Sequence, residues 1–247
     1  MHDKGSWLAN WLAKLFNHYL PGPAKLSLKL LGLPPEPQPW ASFMVMELLV
    51  VLIIIVLFAF LRRRLSVDHP GKLQQTFELL EEFVRGQAEE SVGHDGPRYM
   101  GFFGTVFIFI LFCNLIGSIP GFESPTMIPS VPAGCAIAVF CYYNLMGFRE
   151  QGFGKYLAHF AGPMPWLAPL MVPIELISHM ARPLSLTIRL YANMFAGEQV
   201  TLVFLGLTYF AIPVLFMGLH IFVSVLQAYI FMLLAMMYVG GAVAHEH

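Results

Sequence analysis

The chain has 247 residues, of which 57% are hydrophobic and only 12% charged, and its formal net charge is −1. A soluble domain carries about 25% charged residues, so the deficit excludes an ordinary water-soluble globule and points to the membrane. The near-zero net charge also excludes a bulk basic field of the kind that gathers nucleic acid.

Residues 1–40 are mixed in character. Trp7, Trp11 and Leu12 share a helix face and "LPPEPQP" follows, which predicts an interfacial helix and a Pro-rich linker. The opening "MHDKGSWLANWLAKLF" has no continuous apolar core and is not Arg-rich, so neither a cleavable signal peptide nor a transit peptide is expected.

"WASFMVMELLVVLIIIVLFAFL" is long enough to span a bilayer, whose core needs about 20 apolar residues. The first crossing is assigned to 41–63. It ends at Arg62, Arg63 and Arg64, and positive charge collects on the cytoplasmic side, which places the N-terminus outside. The four lysines of the N-terminal tail are the one exception to that charge pattern. Glu47 lies near the outer end of this crossing and reads as interfacial. Residues 71–92 differ in kind: Leu73, Phe77, Leu80 and Val84 recur at helical spacing, with Glu78, Glu81, Glu82 and Arg85 mostly on the other side. That pattern predicts an amphipathic helix lying along the cytoplasmic surface.

Residues 99–148 form a predicted hairpin. "YMGFFGTVFIFILFCNLIGSI" crosses outward, the loop "PGFESPTMIPSVPAG" contains no Lys or Arg, and "CAIAVFCYYNLMGF" returns to Arg149 and Lys155. Cys113, Cys135 and Cys141 sit in apolar runs without a CxxC spacing, and are expected to be small buried side chains.

The last unit, 164–243, is a second and longer hairpin. "WLAPLMVPIELISHMARPLSLTIRLYANMFAGEQVTLVFLGLTYF" exceeds one perpendicular span at about 1.5 Å per residue, so it is expected to be strongly tilted or broken near Pro183. "IPVLFMGLHIFVSVLQAYIFMLLAMMYVGGAVA" turns back and leaves "HEH" as a solvated cytoplasmic tail rather than a metal site. The fold class is therefore an all-α integral membrane protein. It has five membrane-crossing helices plus one amphipathic interfacial helix, and a tilted hairpin at its end. Residues 1–40 make the N-terminal segment and 41–247 the polytopic domain.

The chemistry is concentrated in that hairpin. Its first run carries Glu175, Ser178, His179, Arg182, Ser185, Arg189, Asn193 and Glu198, and its second carries His220, Ser224 and Gln227. A charge at mid-bilayer costs at least about 2.5–3.5 kcal/mol, so such residues are usually functional. Arg182, nearer the inner surface, can snorkel. Arg189 and Asn193 share a helix face, Glu198 points roughly opposite, and His220, Ser224 and Gln227 form one stripe. In an antiparallel pairing Arg189 matches Gln227 in depth and Glu198 matches His220, with Glu175 and His179 on the inner side. Carboxylates and imidazoles can pass protons, histidine having a reference pKa of about 6.5. Arginine stays protonated, so Arg189 reads as a barrier between two proton-accessible half-paths. No acidic residue of the chain matches its depth and face, so its counter-charge is expected on another protein.

"RPLSLTIRLYANMFAGE", followed by "LHIFVSVLQAYIF", closely resembles the signature of subunit a of F-type ATP synthase, and "NLIGSIPGFESPT" and "VPIELISHMARP" are similar to that family as well. The resemblance implies a non-catalytic membrane stator that offers two offset proton half-channels to the carboxylates of a rotating c-ring. Carried over by position, Arg189 would face the ring carboxylate, with Asn193 and Gln227 in support. Glu198 and His220 would line the outer half-channel and Glu175 the inner one. Ser178 and Ser185 are weaker candidates, since small hydroxyl residues also pack helices in lipid, and His179 belongs to this sequence's own pattern. The implied partners are the c-ring, peripheral-stalk b subunits, the soluble ATPase head and membrane lipid, with no nucleic acid, cofactor or metal. The implied location is a bacterial plasma (inner) membrane, with the N-terminus outside and the C-terminus cytoplasmic. Two alternatives use the same residue types. A proton-coupled secondary transporter would favour inverted repeats, and no half of the chain matches the other. An intramembrane hydrolase would be expected to carry HExxH or GxSxG, and neither is present.

Overall fold

The computed structural model describes residues 7–19, 42–66, 69–93, 95–119, 122–152, 168–207 and 211–243. The expected Pro-rich linker, the "HEH" tail and the start of the long hairpin at 164–167 lie outside the described residues. The described residues form helices and one short 3-10 turn, with no strand. The helices are α1 (Trp7–Tyr19), α2 (Ser42–Arg63), α3 (Lys72–Val92), α4 (Gly96–Ile116), α5 (Ser130–Gln151), α6 (Ala168–Leu207) and α7 (Ala211–Val243). The turn is Pro125–Met127.

Four of these helices are long and apolar enough to cross a membrane: Ser42–Arg63, Gly96–Ile116, Ser130–Gln151 and, within α7, Val214–Val243. The first is a run of valine, isoleucine and leucine that in water would favour a strand. In lipid nothing outside the segment can satisfy its backbone, so helix is the only economical choice. Its side chains agree. Leu52, Ile55 and Val56 stand exposed in a contiguous apolar stripe that water would not tolerate. The 40-residue α6 is about 60 Å long, twice a bilayer core. It runs unbroken through Pro173 and Pro183. Of the two sequence expectations for this segment, a break at Pro183 is therefore the one that does not occur. Pro183 removes one amide donor, and its own carbonyl accepts from Thr187 Oγ1 at 2.8 Å.

The chain packs as two compact units, Met1–Arg64 with Phe109–Ile128 and Met194–Val225, and Leu65–Ile108 with Pro129–Asn193 and Leu226–His247. In the first, Ala9 and Ala13 of α1 pack on Val45 and Met46 of α2, with Leu12, Leu49 and Phe122 around them. Small residues let the two helices approach closely. Val50, Cys113 and Ile116 form a neighbouring cluster. A buried polar network then ties the 123–126 turn to two helices. Ser124 Oγ donates to the Cys113 carbonyl at 2.9 Å and lies 2.7 Å from Thr126 Oγ1. Thr126 Oγ1 donates to Asn114 Oδ1 at 2.8 Å, and Asn114 Nδ2 donates to the Ser224 carbonyl at 3.2 Å. These polar side chains are fully buried.

In the second unit α3 is anchored rather than merely amphipathic. Tyr229 Oη donates to Gln87 Oε1 at 2.9 Å, and the rings of Phe83 and Tyr229 lie 5.7 Å apart. Its buried line is Gln74, Val84 and Ala88, whereas Leu73 of the predicted stripe is exposed. Gln74 is drawn inward by chemistry that hydropathy misses: it receives the Ser66 amide at 3.0 Å and donates to the Ser66 carbonyl at 3.0 Å. Phe102 and Tyr142 stack at 3.7 Å between α4 and α5. Helices α3 and α5 end at Gly93 and Gly152, whose positive φ of 92° and 78° suits a residue without Cβ. Of the three cysteines expected to be buried, only Cys113 is; Cys141 is exposed on α5, whose outward face is apolar as a lipid-facing surface is.

Candidate functional site

The polar residues of α6 and α7 are brought together by antiparallel pairing that is visible in each unit. In the second unit Asn193 Nδ2 donates to Gln227 Oε1 at 2.9 Å, and the Arg182 guanidinium lies 5.4 Å from the Tyr238 ring. In the first unit Phe204 stacks on Phe216 at 4.2 Å, Ser224 Oγ lies 3.9 Å from Met194 Sδ, and the His220 ring lies against Gly197. Depth matching in an antiparallel pair predicts Gln227 level with Arg189, whereas its side chain bonds Asn193, one helical turn further along α6.

Arg189 is half-buried, and among the described residues it forms no ion pair or hydrogen bond. A guanidinium has five donors and no way to discharge itself. Placed within an apolar helix, it demands an acceptor from elsewhere. Gln227 is almost fully buried, and its Nε2 is a donor without a partner among the described residues.

The Glu198 and His220 site is built around a missing side chain. Gly197 has no Cβ, and the space a Cβ would fill is taken by His220 Nδ1. The imidazole is 6% exposed, and Ser224 Oγ returns 2.8 Å to the His220 carbonyl, one turn back along α7. Glu198 and His220 do not hydrogen-bond each other: Glu198 Oε2 and His220 Nδ1 are both buried, and among the described residues neither atom has a partner. A buried polar atom left without a partner costs about 1–3 kcal/mol. Glu123, beside the buried Ser124 and Thr126, accepts a long 3.5 Å bond from Ser42 Oγ.

The remaining predicted residues separate into two groups. Glu175 pairs with Arg182 at 3.7 Å, both about one-third exposed. His179 is 6% exposed and meets α5, where its Nε2 lies 2.9 Å from Asn144 Oδ1 and 3.3 Å from Tyr143 Oη. Ser178 and Ser185 are exposed, and neither forms a hydrogen bond among the described residues. Sequence reasoning passed over Asn114, Tyr143, Asn144 and Gly197. The two asparagines carried a usable signal, because an amide in the middle of an apolar run must find a partner. Gly197 carried none, because its role depends on which side chain packs opposite.

Comparison with known proteins shows the family to which the chain belongs. The family described as ATP synthase A chain matches residues 44–240. The chain is 68% identical over 233 residues to ATP synthase subunit a of Solibacter usitatus, covering 94% of this chain and all of the relative. It is 48% identical over 239 residues to ATP synthase subunit a of Koribacter versatilis, covering 96% of this chain and 98% of the relative. The protein of the same name from a Sulfurihydrogenibium species is 39% identical over 204 residues, or 82% of this chain and 98% of that one.

Proposed function

The chain belongs to the ATP synthase A chain family, and from that premise we propose that it is the proton-translocating stator subunit of an F-type ATP synthase. It performs no bond-making chemistry of its own. It offers two offset half-channels to the carboxylates of a rotating c-ring, and Arg189 separates them.

The observation that carries this assignment is Arg189 itself, a half-buried cation with no internal counter-ion among the described residues. A passing ring carboxylate supplies the missing anion. An opposite charge within about 4–6 Å stabilises the ionised carboxylate, so the ring site arriving at Arg189 gives up its proton and the site leaving it takes one. Asn193 of α6 and Gln227 of α7, bonded to each other across the two helices, hold the mid-membrane geometry. Protons enter through Glu198 and His220, whose orphaned Oε2 and Nδ1 are suited to water-borne transfer. They leave past Glu175, with His179 on the same side and Ser178 and Ser185 as minor lining. A fixed guanidinium cannot relay a proton, so it blocks a direct leak between the two paths. Each charge falling through 100 mV supplies about 2.3 kcal/mol for rotation.

The membrane layout follows. Helices α2, α4, α5, α6 and α7 cross, α6 at a steep tilt because its length is twice the bilayer core. Helix α1 is an interfacial helix ahead of the polytopic domain, and α3 lies on the cytoplasmic face. Arg62 to Arg64 set the N-terminus outside and the C-terminus in the cytoplasm of a bacterial inner membrane. The c-ring, peripheral-stalk b subunits and soluble head are the partners. A family match over four-fifths of the chain leaves no support for the transporter or hydrolase readings.

The test is Arg189→Ala in inverted membrane vesicles. ATP-driven proton pumping should vanish while the complex still assembles, and passive leak should rise once the head is stripped. Pumping at the wild-type rate would remove the central residue of this assignment.

A further inference from the structure

The buried cluster where α6 meets α5 has chemistry that neither helix reveals alone. His179 is 6% exposed and lies among Asn144, Tyr143 and Phe140, the last with its ring centroid 5.0 Å away. Asn144 Nδ2 donates to the Phe140 carbonyl at 2.7 Å, which fixes the orientation of the amide. Its Oδ1 therefore faces His179, at 2.9 Å from Nε2. A carbonyl oxygen only accepts, so the neutral imidazole carries its hydrogen on Nε2. Nδ1 is then the basic nitrogen, with the Tyr143 hydroxyl 3.4 Å away. This is the tautomer logic by which a neighbour on one imidazole nitrogen sets the task of the other. Among the described residues, the charged groups beside the ring are Glu175 one turn before it and Arg182 one turn after it, paired with each other at 3.7 Å. Arg182 is also held over Tyr238 of α7, whose ring lies 6.0 Å from that of Tyr143.

We infer that His179, oriented by Asn144 and Tyr143, is a proton-accepting station of the inner half-channel between the ring carboxylate and Glu175; this rests on the stator reading above. The incoming proton adds to Nδ1, and the imidazolium keeps its Nε2 hydrogen on Asn144 Oδ1. Release of the Nδ1 proton to the Glu175 carboxylate restores the neutral ring. Asn144 and Tyr143 are positioning residues: they contact the imidazole and orient it, and neither takes up the travelling proton. Asn144 accepts from Nε2 in both charge states of the imidazole, so the cycle requires no rotation of the ring.

The experiment measures passive proton flux through head-stripped vesicles carrying the whole membrane complex, normalised to assembled c-ring. His179→Ala should lower flux at least about tenfold, the low edge of what a positioned proton acceptor is worth. Added imidazole should restore it, whereas pyrazole, similar in shape but scarcely basic, should not. Wild-type flux in the variant overturns the inference, and so does a loss that imidazole fails to restore or that pyrazole restores equally, which marks a packing role. If His179→Ala does not assemble, His179→Gln keeps an amide within reach of Asn144 and cannot take a proton. Flux reduced about tenfold in assembled complex then supports the station, and wild-type flux overturns it. Arg189→Ala in the same membranes separates the two ideas. If it abolishes coupled pumping while His179→Ala conducts normally, only the His179 station falls; if pumping survives Arg189→Ala, the stator reading falls first.

Discussion

Gly197→Ala is the sharpest perturbation the geometry suggests. A methyl at that position would overlap His220 Nδ1 and stand 3.1 Å from Cε1. Ordinary contact begins near ~3.5 Å, so the ring must retreat by about 1 Å, the shift at which positioned chemistry loses about 10²-fold. The ring has little room, because it is 6% exposed. Two stability effects oppose each other: alanine gains about 1 kcal/mol of helix propensity, and overpacking costs about 1–3 kcal/mol. The folded complex should therefore survive with little or modest loss of stability, while proton entry fails. The assay is ATP-driven acidification of inverted vesicles at matched complex content. The control is Gly206→Ala on the same helix, where a Cβ meets nothing within 4 Å and pumping should be normal. Equal pumping by the two variants would refute the idea that the fit of His220 against Gly197 places it for proton entry.

Other consequences test the scaffold. Asn193→Ala and Gln227→Ala should be non-additive in a double-mutant cycle of thermal stability in detergent, with a coupling of about 0.6 kcal/mol, typical of a hydrogen bond between membrane helices; strict additivity would remove the bond from the energetics. Asn114→Leu keeps the branched shape but removes the acceptor of Thr126 Oγ1 and the amide that donates to the Ser224 carbonyl, and should cost about 1–3 kcal/mol, seen as a lower melting midpoint and faster chymotryptic cleavage after Phe122. Gly240→Ala places a Cβ 2.6 Å from the Ser91 carbonyl, a backbone atom that cannot swing aside. It should destabilise the packing of α3 on α7 by about 1–3 kcal/mol. Gly241→Ala, in open space next door, should be neutral or gain up to about 1 kcal/mol; a melt that ranks the two variants the other way would contradict the packing described for α7.

The sequence by itself determined the solvent, the helical class and the chemistry. Unbroken apolar runs of about 20 residues suit a helix in lipid and not the short alternating strands of a closed barrel, and a charge such as Arg189 is too expensive to sit in one of those runs by accident. Those are properties of segments, and they can be read without a partner helix. Which atoms meet is a property of pairs, and only the tertiary structure decided it. Depth matching brought Gln227 near the right turn of α6 but not to Asn193, because helix rotation and side-chain reach choose among residues one turn apart. Leu73 and Gln74 exchange their expected environments because two hydrogen bonds to Ser66 outweigh the burial of one apolar side chain. The same holds for Gly197, whose value is the absence of an atom exactly where another helix puts a ring. It holds also for His179, whose proton is fixed by an amide 35 residues away on α5. Periodicity locates a face along one helix. Complementarity between two faces has no periodicity, and it appears only when the helices are packed.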